Sequence, residues 1–147
     1  MQRLYGFDNK LPWIVIPATV AGGHQKKTIR LALDTGASNV VIPYEVALNV
    51  GCSPSKSDEW VKITVGGNEE LAPKVIVPYF ECLGFRLRNF AVICHNLPES
   101  TPIDGLLGVS FLRRFEIKIN YPHGYLIISD EIKKYPRCFD SDKLVVN

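Results

Sequence analysis

Hydrophobic positions alternate with polar ones at period two over most of this chain, and glycine or proline repeatedly cuts the alternation. Successive side chains of a strand point to opposite faces, so the pattern predicts strands with one buried face. Residues 11–21 are rich in β-branched side chains and contain Pro17, which suits an edge or a bulge. Gly22-Gly23-His24-Gln25-Lys26 reads as a turn into a strand over residues 28–33, where Ile29, Leu31 and Leu33 share a face. These two strands form a hairpin whose far end is Asp34.

Val40-Val41-Ile42 is a short strand stopped by Pro43, and a helix is expected over residues 44–50. That helix puts Tyr44, Ala47 and Leu48 on one face and Gly51 at its C-terminal cap. Residues 52–58 read as a polar surface loop. Trp60-Val61-Lys62-Ile63-Thr64-Val65 alternates cleanly and meets Gly66-Gly67-Asn68, a hairpin turn. The return limb, residues 71–77, is interrupted at Pro73 and closed by Pro78, so this hairpin is expected to project and move. Residues 80–94 predict two strands around Cys82-Leu83-Gly84 and Arg88-Asn89, with Phe85 and Leu87, then Phe90 and Val92, inward.

Gly105-Leu106-Leu107-Gly108 precedes a short helix with Ser110 as its N-cap and Phe111, Leu112 and Phe115 packed inward. Ile117, Ile119 and Tyr121 lead into a turn at Pro122-His123-Gly124 and a last strand over residues 125–128. Residues 1–8 fit an edge or interface strand, and Lys143-Leu144-Val145-Val146-Asn147 is apolar enough to pair. Many short strands and only two brief helices argue for a mostly β, closed or sandwiched sheet.

At 147 residues, 46% hydrophobic and 22% charged, the chain fits one domain spanning residues 1–147 with a real core. Its 17 basic and 15 acidic residues leave a net charge of +2, which steers neither nucleic acid nor membrane. Arg86/Arg88, Arg113/Arg114 and Lys133/Lys134 read as solvated faces. The apolar runs fall short of the roughly 20 residues that a membrane-spanning helix needs, and the start lacks a signal-peptide layout. A cytoplasmic protein is expected. Cys52, Cys82, Cys94 and Cys138 are too widely spaced for a zinc knuckle, and Cys94-His95 point to opposite strand faces. Free thiols and no metal are expected.

The chemistry gathers at Asp34-Thr35-Gly36-Ala37-Ser38-Asn39, where an apolar strand ends on a carboxylate. Such a group is costly unless hydrogen bonds meet it; Thr35 offers a hydroxyl, and Gly36 lets backbone amides approach. Alone, the triplet also fits an Asx-type turn. Asp104, a second acid just before Gly105, reads as a loop hydrogen-bonder.

The strand into Asp34-Thr35-Gly36-Ala37, the glycine-tipped hairpin and Gly105-Leu106-Leu107-Gly108 before a short helix together resemble the single-domain, retropepsin-like (retroviral-type) aspartic proteases. The resemblance covers residues 11–129. It implies a retropepsin-like closed β-barrel of the acid-protease type, with a flap hairpin, that works as a homodimer on peptide or protein substrates without cofactor or metal. Asp34 is then catalytic, paired with its copy, while Thr35, Gly36 and Ala37 support the catalytic loop. Ile63, Thr64, Val65, Gly66 and Gly67 form the flap that closes on substrate, and Leu106, Leu107 and Gly108 lie beneath the site. The chain ends, Met1 to Phe7 and Lys143 to Asn147, become candidate intersubunit strands. Trp60, Ile63, Val75 and Leu106 are expected to line apolar pockets.

Two departures stand out. Gly108-Val109-Ser110 replaces the Gly-Arg-Asn of viral members, and Ala37 replaces a serine or threonine, which predicts a pH optimum less acidic than that of pepsin-like enzymes. The alternative is a non-catalytic module that keeps this fold to grip a peptide or a partner.

Overall fold

The computed structural model describes residues 1–131. The expected terminal strand at 143–147 and Cys138 lie outside them. In chain order the strands are β1 (Gln2–Gly6), β2 (Val15–Gly22), β3 (Gln25–Leu33), β4 (Val41–Ile42), β5 (Trp60–Val65), β6 (Asn68–Cys82), β7 (Phe85–Cys94), β8 (Gly105–Leu107), β9 (Glu116–Asn120) and β10 (Tyr125–Ser129). Two short helices, α1 (Tyr44–Asn49) and α2 (Val109–Leu112), complete the pattern with a 3-10 turn at Pro54–Lys56.

Six strands close a barrel in the order β2-β3-β8-β4-β7-β6, because β6 also pairs back onto β2. The alternation that predicted strands is the one that fills this barrel. Ile16, Ala18 and Val20 of β2 and Ile29 and Leu31 of β3 are buried, while Pro17 between them is exposed. Phe80 and Phe111 are fully buried at the centre with ring centroids 5.7 Å apart, and Phe90 stacks on Phe80 at 5.0 Å. Below the barrel, β1, β10 and β9 form a separate antiparallel sheet. Met1 to Phe7 therefore supplies a strand within its own chain, paired on one edge to β10.

β6 corrects the expectation of a proline-broken limb, for it runs unbroken through Pro73 and Pro78. At Pro73 the strand passes from β5 to β7, the pairs being Trp60↔Pro73 and then Lys74↔Ile93. Around Pro78 the register holds, from Val77↔Phe90 to Tyr79↔Arg88, yet the buried face changes. Val75 and Val77 are inward before Pro78, and Phe80 and Cys82 after it. β7 does the same across Asn89, from Phe85 and Leu87 to Phe90 and Val92. No turn breaks the chain at Arg88-Asn89. Instead Asn89 takes a left-handed φ of 48°, which asparagine tolerates better than most residues, and Pro78 has no N–H to leave unpaired.

Two smaller expectations also change. Leu48 is 59% exposed, and the buried face of α1 is Val46 and Ala47. Ser110 is not the N-cap of α2; Gly108 holds that place with no side-chain bond, and the Ser110 hydroxyl accepts from the Val40 N–H at 3.1 Å.

Candidate active site

β8 is three residues long and lies between β3 and β4, parallel to the first (Leu31↔Gly105, Leu33↔Leu107) and antiparallel to the second (Val41↔Leu106). Its flanking glycines answer a demand for space. A Cβ on Gly105 would sit 2.0 Å from the Val41 carbonyl oxygen, and one on Gly108 would sit 2.1 Å from that of Asn39. Only glycine lets these backbones meet.

The close approach fixes the loop after β3. The Asp34 N–H donates to the Leu107 carbonyl at 3.1 Å, and the first amides of α2 reach back, Val109 to Ala37 at 2.8 Å and Ser110 to Ser38 at 3.0 Å. Inside the loop the Ala37 N–H donates to the Asp34 carbonyl at 3.2 Å. The carboxylate accepts from the Gly36 N–H at 2.8 Å. Asp34 is half-buried, so it stays open to a ligand while its backbone is tied on both sides.

Thr35 does not meet the carboxylate: its hydroxyl takes no hydrogen bond among the described residues. It is exposed and faces the other way, into an open groove of about 370 Å³ with Leu33, Val109, Leu112, Arg113, Phe115, Ile117 and Ile119. Asp104 is engaged elsewhere: its carboxylate accepts from the Arg30 N–H of β3 at 2.7 Å.

Above Asp34 lies a cleft of about 560 Å³. It is lined by Asp34, Gly36 and Ala37 of the loop, by Ile63, Thr64, Val65 and Gly66 of the β5–β6 hairpin, and by Leu106 of β8. Gly66 and Gly67 close the hairpin with φ of 57° and 84°, the left-handed pair that a two-residue turn needs. Gly67 is at the tip and does not line the cleft. Leu107 and Gly108 are buried under the loop.

Trp60 and Val75 do not line the cleft: Trp60 is exposed at the hairpin's foot, and Val75 is in the core. Missed were Ser38, Asn39, Val41, Lys62, Ile93, His95, Leu97 and Pro98. Ile93 and His95 carried a signal, since residues two apart at a strand end share a face. The loop at Leu97-Pro98 carried none, because its approach depends on how β7 meets β4.

Burial pushes the thiols of Cys82 and Cys94 up to about 12, so at neutral pH neither supplies a thiolate nucleophile. Among the described residues no group of three or more His, Cys, Asp or Glu side chains gathers to hold a metal, and no helix is long and apolar enough to cross a membrane. Among the described residues Asp34 is the sole acid lining the cleft, and it can hold a water or take and give a proton.

A family model described as aspartyl protease matches residues 16–111, which spans the Asp34 loop, the hairpin and β8. The structure is similar to that of a retropepsin-like aspartic protease from Rickettsia conorii, with a TM-score of 0.63 and 22% identity, covering 87% of this chain and 89% of that one. It is also similar to the retroviral protease-like domain of Ddi1 from Leishmania major, with a TM-score of 0.52 and 17% identity over 82% and 91%. At these identities the likeness speaks to fold alone. A search of curated proteins found no match.

Proposed function

The chain belongs to this aspartyl protease family, and on that premise we propose that it is an aspartic endopeptidase that acts as a homodimer on peptide or protein substrates. Two copies meet about a two-fold axis, so that Asp34 of each faces the other. Two close carboxyls cannot both ionise cheaply, so the pair shares one proton. The ionised member takes a proton from a bound water, which attacks the scissile carbonyl while the protonated member donates to the carbonyl oxygen. Collapse of the tetrahedral intermediate, with a proton passed to the leaving nitrogen, releases both halves. Gly36 and Ala37 hold the loop within the chain, Thr35 locks it to the loop of the second copy, Leu106, Leu107 and Gly108 support it, and residues Ile63, Thr64, Val65, Gly66 and Gly67 close over an extended peptide as a flap.

The observation that carries this reading is the placing of Asp34: a half-buried carboxylate in a cleft lined by the β5–β6 hairpin, on a loop tied by Leu107, Val109 and Ser110. The groove beside Thr35 supports the dimer, because it holds an apolar face next to the loop that must meet its copy. The test is cleavage of a diverse peptide pool across pH by the chain and by Asp34→Asn. Cleavage is expected in the first and a loss of at least about 100-fold in the second, the scale of one acid–base group. Equal cleavage by both would remove Asp34 from the chemistry. No cleavage by a dimeric sample would leave the peptide-binding module.

A further inference from the structure

Part of the cleft lining comes from the end of β7 and the loop after it. Ile93 and His95 both line the cleft, whereas Cys94 between them is fully buried in the main core, so the two share the face opposite Cys94. The His95 N–H donates to the Ile42 carbonyl at 3.0 Å, which continues the parallel pairing of β4 with β7 one residue past its end. Its backbone is therefore held by the barrel and not by a free loop. Its half-buried imidazole takes no hydrogen bond among the described residues.

The charges around the cleft are lopsided. Among the described residues Asp34 is its sole acid and is taken up by the chemistry, and Lys62 and His95 are its two basic residues. Lys62 sits 3.7 Å from Glu69 on the same exposed hairpin, which partly answers its charge. Among the described residues no acid besides Asp34 lines the cleft with His95. Ile93, Leu97 and Pro98, which line the cleft with it, are apolar.

We propose that His95 is a specificity-determining residue, which selects peptides carrying an aspartate or glutamate side chain in the subsite formed by Ile93, His95, Leu97 and Pro98. This rests on the cleft being the peptide site of the proposed protease. The imidazole donates an N–H to the incoming carboxylate, and the apolar walls strengthen that bond by thinning the solvent around it. A glutamine of the same shape has no charge to offer and gains less.

The test uses one cleavable peptide with glutamate or glutamine scanned through each position on both sides of the cut. Binding is read by fluorescence anisotropy on Asp34→Asn, and kcat/KM on the active chain. At one position the intact chain should prefer glutamate by about fivefold, the scale of a half-exposed charge-assisted bond. In His95→Gln the ratio should fall to near one, while Lys62→Gln should keep it. His95→Glu should reverse the sign and prefer lysine to glutamine there, which a merely structural role would not produce. A glutamate-to-glutamine ratio near one at every position, or one abolished only by Lys62→Gln, overturns the assignment. Loss of cleavage with the binding preference intact overturns the protease reading and leaves this one standing.

Discussion

Single residues decide how closely the backbones at the site can meet. Gly108 has an ordinary negative φ of −91°, so what it supplies is space and not conformational freedom. Gly108→Ala should destabilise the chain by about 2 kcal/mol through overpacking, read as a lower urea midpoint. Gly6→Ala, whose new Cβ would meet only the Gly124 oxygen at 3.9 Å, is the control and should stay within about 0.5 kcal/mol. Ala37 lines the cleft one hydrogen bond from Asp34, and it offers no hydroxyl. Ala37→Ser adds a donor that favours the ionised carboxylate, so the acidic limb of the pH profile of kcat/KM should move to lower pH. An unmoved profile would count against that reading. Thr35 and Ser110 show how far residue type alone can mislead: a hydroxyl placed beside a carboxylate in sequence turned to a groove, and one placed to cap a helix tied α2 to Val40 instead.

Elements of this barrel bend without breaking. Pro78 and Asn89 face each other across β6 and β7, and both strands exchange their buried sides there with the register kept. The left-handed φ of Asn89 is what lets β7 follow. Asn89→Val should cost about 1–2 kcal/mol, because a β-branched residue is strained in that region, whereas Asn89→Gly should be near neutral. Denaturant midpoints of the pair separate the two, and equal values would mean that the bend relaxes elsewhere. The β5–β6 hairpin has the opposite character. Its inner face, Val61 and Ile63, packs on Val41, Ala72 and Ile93 near its foot, while the residues around its glycine tip are exposed. The anchored foot and open tip are what a cover over the cleft needs.

At the scale of the whole molecule, the barrel presents two neighbouring surfaces on either side of one loop. Asp34 opens to the cleft and Thr35 to the groove of Leu33, Val109, Leu112 and Ile117. In the proposed dimer, assembly and chemistry share that loop. Ile119 is 36% exposed at the groove, and Ile119→Asp should raise the dimer dissociation constant by at least about tenfold, as burying a charge in place of an apolar side chain requires. Sedimentation should show the monomer, and activity should return as protein concentration rises. A variant that stays dimeric and fully active would place the interface elsewhere.

The period-two alternation and the turn glycines were enough to read a mostly β, closed or sandwiched sheet, a glycine-tipped hairpin and an acidic loop from the chain alone, and the resemblance carried by Asp34-Thr35-Gly36-Ala37, the hairpin and Gly105-Leu106-Leu107-Gly108 added the closed barrel. These are local signals: alternation follows from the pleat, and a left-handed turn selects its residue at the turn itself. Tertiary structure alone decided that β6 survives two prolines, that Thr35 leaves the carboxylate, and that His95 joins the cleft while Trp60 does not. Each of these depends on which strand lies alongside, a long-range contact that no window of neighbouring residues contains. Pro73 is tolerated because β6 changes partners there, and His95 is held at the cleft because Ile42, over fifty residues earlier in the chain, accepts its backbone hydrogen bond.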